Sequence, residues 1–125
     1  MNFPEELKYD KSHEWVRSEG KIGTIGITDF AQSELGDIVF LDITKSVGDQ
    51  VEVGEIFGTI EAVKTVSDLY SPVSGKIVEI NNDVNDTPDS INKDPYNSGW
   101  MVKVEITSGL DSLMDSTTYK SLIGM

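Results

Sequence analysis

Few side chains in this 125-residue chain could do chemistry unaided. It has no cysteine and a single histidine, His13, which excludes thiol nucleophiles, a disulfide framework and a cysteine-based zinc site. A catalytic centre would have to be assembled from carboxylates, hydroxyls and lysines. His13-Glu14 lacks the second histidine of a zinc-protease helix, and its setting is extended. Asp83, Asn85, Thr87 and Asp89 alternate as calcium ligands do, with Asp94 at the twelfth place, but Pro88 replaces the required glycine. That segment reads as a solvated acidic loop. Gly20, Gly23 and Gly26 are spaced G-x-x-G-x-x-G inside a strand, not ahead of a long helix, and read as close-packing positions instead of a phosphate cradle. Asn85-Asp86-Thr87 matches a glycosylation sequon, but the chain starts with no signal peptide to bring it to the machinery. Glu61 and Asp68 flank a predicted hairpin tip, where paired carboxylates are ordinarily surface charge.

Lys64 is different. It stands at the predicted tip between Val63 and Thr65, and Gly75 follows eleven positions later, after the turn Ser71-Pro72-Val73-Ser74. An exposed lysine amine is a poor nucleophile at neutral pH, so the tip would do nothing catalytic by itself. As an attachment point it is well suited: a modifying enzyme can reach it, a stiff β base fixes it, and a long group mounted there can swing between partners.

The elements that hold this tip are mostly strands. Short apolar runs broken by glycine recur through the first hundred residues. Residues 13–17 and 21–27 predict a hairpin turning at Ser18-Glu19-Gly20. Thr28 is placed to cap a helix over 29–35, and Gly36 to stop it. Residues 38–41 are continuously apolar and predict a strand buried on both faces or packed under that helix. A short strand follows at 50–53, then the hairpin arms 56–61 and 66–70, then an alternating strand at 76–80. Residues 81–99 form a long polar loop with a helical turn around 89–92, long enough to suggest more than connection. The last strand is expected at 100–106, and a helical tail at about 110–123. In that tail Leu110, Leu113 and Met114 share one side, and Tyr119, Leu122 and Ile123 follow a Ser116/Thr117 cap.

Acidic residues number 22 and basic ones 10, a net charge of −12, which argues against nucleic acid or an anionic membrane as partner. The same charge has a second reading, an acidic face that steers encounter with basic partner surfaces. No run approaches the roughly 20 apolar residues that span a bilayer. The first residues, Met1 to Glu6, show neither a secretory leader nor an Arg-rich presequence. The expected location is the cytoplasm, or the mitochondrial matrix for a trimmed mature form.

Residues 57–75, FGTIEAVKTVSDLYSPVSG, closely resemble the modification motif of the glycine cleavage H-protein family. Ser12-His13-Glu14-Trp15-Val16, the blocks at 25–32 and 35–40, and Asn92 to Trp100 also look like that family's blocks, in order, so the likeness covers essentially the whole chain. Its layers differ in specificity. A lysine with a glycine eleven residues on is common to biotinyl and lipoyl domains. Methionine usually flanks the lysine in biotinyl domains, so Val63 and Thr65 favour lipoate. The His-Glu-Trp-Val and Thr-Asp-Phe-Ala-Gln blocks and the Pro-Tyr loop are absent from the lipoyl domains of 2-oxoacid dehydrogenase complexes.

The resemblance implies a mainly β barrel-sandwich hybrid with short peripheral helices, including a C-terminal one, as a single domain over residues 1–125. It implies lipoate in amide linkage on Lys64, and a non-catalytic carrier. In the family's cycle, pyridoxal-phosphate-dependent glycine decarboxylase (the P protein) loads the arm with an aminomethyl group. The tetrahydrofolate-dependent aminomethyltransferase (the T protein) unloads it, dihydrolipoyl dehydrogenase (the L protein) reoxidises the dithiol, and a lipoate-attaching enzyme installs the group. Ser12, Glu14 and Asp68 match positions suited to an arm-docking pocket that shelters the loaded amine. A chain whose cofactor cycles between disulfide and dithiol also has less to lose by exchange if it lacks thiols. The expected state is a monomer. The alternatives are a lipoyl donor or relay for other complexes, a biotinyl carrier, and an unmodified interaction module.

Overall fold

The computed structural model describes all 125 residues. Turn chemistry and alternation set the strands. β1 (Lys8–Tyr9), β2 (Glu14–Glu19) and β3 (Ile22–Ile27) form an antiparallel ribbon, with Gly20 at φ 61° in the β2–β3 turn. Gly26 is opposite Trp15, and a Cβ there would meet the indole ring at 2.7 Å; one at Gly23 would meet Ile106 at 2.6 Å. These two glycines are the close-packing positions expected, whereas Gly20 has open space around it and serves the turn.

Thr28 accepts the Ala31 N–H at 3.1 Å, and α1 (Asp29–Leu35) ends at Gly36, φ 81°, as the residue types predict. β4 (Ile38–Ile43), β6 (Ile56–Ala62) and β7 (Val66–Tyr70) make a three-stranded sheet in the order β4-β6-β7. β5 (Gln50–Val51), β8 (Ser74–Ile80) and β9 (Val102–Ser108) complete the other, a six-stranded sheet in the order β1-β2-β3-β9-β8-β5. Every pairing is antiparallel, and the inner faces enclose a core that includes Val16, Ile25, Leu41, Ile60, Ile77 and Val104.

β4 is not buried on both faces. Ile38 and Leu41 point inward, but Val39 and Phe40 are 48% and 52% exposed. A bulge between Ile38 and Phe40 turns the strand, and no layer covers the outer side of these two residues.

The long loop holds two helical turns instead of one, α2 (Asp83–Asp86) and α3 (Ser90–Lys93), with Val84 and Ile91 buried in the core. Its work is positional. The Asn92 side chain donates to Gly36 O at 2.9 Å and Gln32 Oε1 at 3.0 Å and accepts the Ile38 N–H at 2.9 Å, clamping the end of α1 to the start of β4.

The tail is only partly the helical segment expected at about 110–123. Leu110–Ser112 is a 3₁₀ turn, Leu113 is extended, and Met114 pairs with Tyr9 through two 2.8 Å backbone hydrogen bonds. Only then does α4 (Ser116–Leu122) begin, capped by the Asp115 carboxylate, which accepts the Thr118 N–H at 2.8 Å, and not by Ser116 or Thr117. A bridge to β1 requires extended backbone at Met114, and this long-range pairing overrides the local helical pattern. α4 seats Tyr119 in a second apolar cluster with Phe3, Leu7, Tyr9, Trp15 and Tyr96.

Candidate functional site

Lys64 lies at the apex of the β6–β7 hairpin. The Ala62 N–H donates to Thr65 O at 2.8 Å, leaving Val63 and Lys64 as the residues of the bend. A further bond from the Val63 N–H to Asp37 O at 3.0 Å ties the bend to the stretch between α1 and β4. The Lys64 side chain is exposed and makes no ion pair. Gly75 is remote from the tip in role: it sits in β8 opposite Val51, and a Cβ there would fall onto the Glu105 carbonyl oxygen and lie 2.7 Å from Val104 Cγ1. The lysine–glycine spacing thus joins a reachable amine to a packing requirement of the scaffold below it.

From the apex a groove of about 320 Å³ runs between Val63 and Lys64 on one side and Glu34, Leu35 and Asp37 on the other. Glu34 and Leu35 also line the next hollow, a cleft of about 190 Å³. Its apolar walls include Phe30, Leu35, Ile60 and Leu69. Its polar groups are Ser12, His13, Glu14, Glu34, Ser67 and Asp68. Lysine tip, groove and cleft are therefore neighbours along α1, whose Glu34 and Leu35 line both hollows.

Glu14 is the most deeply set acid, 1% exposed at the start of β2. Its Oε1 is 2.5 Å from Ser12 Oγ, and its Oε2 accepts the Tyr70 N–H at 3.3 Å. Burial pushes its carboxyl up to about 8, and the charge of Asp10 adds to the rise, against the opposing hydrogen bonds from Ser12 and Tyr70. The reversal that delivers these groups is tight: the His13 N–H donates to Asp10 O at 2.9 Å, and His13 adopts φ 76°, the one non-glycine residue with positive φ.

The His13 ring is fixed from the far end of the chain. Its Nδ1 is 2.8 Å from the Tyr119 hydroxyl, which is also 2.8 Å from Thr28 Oγ1, and the ring packs 5.2 Å from Phe30. Burial lowers the histidine below its ordinary value and raises the Tyr119 phenol to about 12.

The structure therefore brings Ser12, Glu14 and Asp68 to one cleft, with Asp68 at its exposed rim. Glu61 is separate: it is exposed, opposite Val66, and does not line the cleft, so it forms no acid/base pair with Asp68. Sequence reasoning missed Asp10, Glu34, Ser67 and Tyr119. A cleft position for Glu34 could have been read from its i, i+4 spacing to Phe30, and Ser67 from inward alternation with Leu69. Nothing local marks Asp10 or Tyr119.

A β-sandwich that presents an exposed lysine at a clamped hairpin bend has the form of the biotinyl/lipoyl carrier folds. Comparison with known proteins narrows the class. The family model for the glycine cleavage H-protein matches residues 7–124. The glycine cleavage system H protein of Staphylococcus haemolyticus is 53% identical over 126 residues, covering 99% of both chains. The crystal structure of a glycine cleavage system H protein from Mycobacterium marinum superimposes with a TM-score of 0.91 at 37% identity, covering 98% of this chain and 100% of that one. The chain belongs to the glycine cleavage H-protein family.

Proposed function

We propose that Lys64 carries lipoate in amide linkage and that the cleft bounded by Ser12, Glu14 and Asp68 receives the loaded end of the arm. A member of this family is the carrier subunit of the glycine cleavage system, not a catalyst. The observation that carries the site reading is the placing of the Lys64 groove beside the cleft that holds the buried Glu14 carboxyl, with Glu34 and Leu35 lining both. Apolar walls suit an aliphatic arm, and a buried acid suits a cationic amine.

Bound there, the lipoyl group supplies a disulfide/dithiol couple to a chain that has no thiol of its own. The residues do the rest. Acylation removes the Lys64 charge and leaves Glu34, Asp37 and Glu61 as the charges about the tip. The Val63–Asp37 bond holds the bend still, so that motion belongs to the arm. Phe30, Leu35, Ile60 and Leu69 exclude water from the arm's end, while Ser12, Glu14 and Asp68 offer acceptors to an amine.

Partners on this reading are the P, T and L proteins and a lipoate-attaching enzyme. The outer face of the three-stranded sheet supports docking: register aligns Phe40, Glu61 and Val66 in a row across it, and Val63 beside them is 70% exposed. We take residues 1–125 as one folding domain acting as a monomer in the cytoplasm, in keeping with its acidity and its bacterial relatives. No helix is long and apolar enough to cross a membrane.

Peptide mapping by mass spectrometry of natively produced protein tests the attachment. A lipoyl increment confined to Lys64, and its loss in Lys64→Arg, is the expected result. A biotinyl increment, or a bare Lys64 in cells supplied with lipoate, would overturn it. For the cleft, Glu14→Ala is expected to accept lipoate normally and to lose methylamine from the loaded arm faster. Equal lifetimes would sink that part.

A further inference from the structure

Ser12 has one hydroxyl proton and two acid neighbours. Its Oγ is 2.5 Å from Glu14 Oε1 and also in hydrogen-bond contact with Asp10 Oδ2. One hydroxyl proton is thus set between two carboxyl groups, and two like charges facing each other across it favour a proton on the more deeply buried one. Asp10 also accepts the Ser12 N–H at 3.1 Å and is only partly buried. Glu14 is sealed from water, pairs with no cation, and uses its remaining oxygen to accept the Tyr70 N–H. Glu14 thus faces Asp10 across a single hydroxyl, buried and without a cation, the setting that favours its neutral form.

The groups around Glu14 come from every element packed on it. Asp10 and His13 belong to the turn before β2, Asp68 to β7, Glu34 to α1 and Tyr119 to α4. Asp10, Glu34 and Asp68 are acids, and burial lowers His13, disfavouring its charged form. Lys11 lines an adjacent groove with Asp10 and Tyr70, outside the cleft. Nothing cationic in the cleft favours the Glu14 carboxylate while the arm is away.

We propose that Glu14 holds a proton while the cleft is empty and releases it when the cationic end of the loaded arm enters, so that docking expels a proton into solvent. The inference rests on the arm-docking reading above. The ammonium keeps its own protons; the Glu14 O–H bond breaks, its proton goes to water, and the carboxylate left behind accepts a hydrogen bond from the ammonium. An arm without the amine offers no charge to compensate the carboxylate, so Glu14 stays protonated and the cleft stays neutral toward it. Glu14 thereby separates loaded from unloaded arms by charge. Below the Glu14 midpoint, retention of the loaded arm strengthens about tenfold per pH unit as pH rises, and it levels off above that midpoint.

Carbon-13 NMR of the Glu14 carboxyl in lipoylated but unloaded protein tests the empty state. The expected result is a Glu14 still protonated at neutral pH. In Asp10→Asn, which keeps an acceptor for the Ser12 hydroxyl but removes the charge, the midpoint is expected to fall. After loading with methylamine, Glu14 should read as ionised at the same pH. Glu14→Gln, which mimics the protonated acid, should make the lifetime of the loaded arm independent of pH. An ionised Glu14 in the unloaded protein overturns the proposal. Arm contacts to Phe30 and Leu69 with an unchanged Glu14 titration sink the exchange alone, whereas absence of those contacts sinks the docking reading and the exchange with it.

Discussion

The hydroxyl of Tyr119, on the last helix, lies 2.8 Å from Nδ1 of His13, a residue of the cleft wall near the start of the chain. The same hydroxyl is 2.8 Å from Thr28, the cap of α1, so one atom of the tail braces two walls of the cleft. Its ring is fully buried and stacked 4.9 Å from Tyr9. Tyr119→Phe keeps the stacking and removes the hydroxyl, leaving His13 and Thr28 without their partner. The expected cost is about 1–3 kcal/mol in urea unfolding. An unfolding midpoint equal to that of the wild type would remove the brace from the account.

Glu14 makes stability depend on pH in a direction unusual for a carboxylate. Its folded midpoint is about 8 and its unfolded reference 4.5, so between those values the folded state binds more protons than the unfolded one. Stability from this group is full below the unfolded midpoint, declines as pH rises through the window, and is flat above the folded midpoint. Glu14→Gln should abolish the decline and be more stable than wild type at alkaline pH, by on the order of a few kcal/mol. Denaturant midpoints collected across that range for both proteins make the comparison. Parallel curves would mean that Glu14 is ionised in the folded state.

Phe40 is 52% exposed in a sheet row with Glu61 and Val66, near the bend that bears Lys64. Phe40→Ala should leave the melting temperature almost unchanged and raise KM for transfer to partner enzymes several-fold with little effect on kcat. Added salt should lower kcat/KM for the wild type, since a net charge of −12 favours basic partner surfaces. A flat salt profile would leave the charge with solubility alone.

Gly75→Ala should be the more damaging of two glycine substitutions. Its Cβ would strike a backbone carbonyl, that of Glu105, which cannot move without disturbing the β8–β9 pairing. Gly26→Ala would press on the Trp15 indole, which is itself held by hydrogen bonds to Ile27 O at 2.9 Å and Pro95 O at 3.1 Å. Each is expected to cost at least about 1–3 kcal/mol, measured by thermal unfolding. If Gly75→Ala melts with the wild type, the close approach of β8 and β9 is wrong.

Local chemistry made much of this protein legible before any tertiary contact was known. The bounds of α1 follow from Thr28 and Gly36, and the β6–β7 arms with Lys64 at their bend follow from two short strand-forming runs on either side of residues 62–65. The tail was misread because Met114 obeys Tyr9, across nearly the whole chain, and not its neighbours. Val39 and Phe40 were misread because a continuous apolar run cannot say whether a second layer will cover it.

The order of residues along the chain thus determined the strands, the helix beside the cleft and the reachable lysine, since capping, turn preference and side-chain alternation act over a few residues. Only the tertiary structure decided that Ser12, Glu14 and Asp68 line one cleft next to the Lys64 groove, that Asp10 lies close enough to act on Glu14, and that Tyr119 braces His13. Those outcomes depend on distance and on exclusion of water, and both are set by strands that meet in space after lying far apart in sequence.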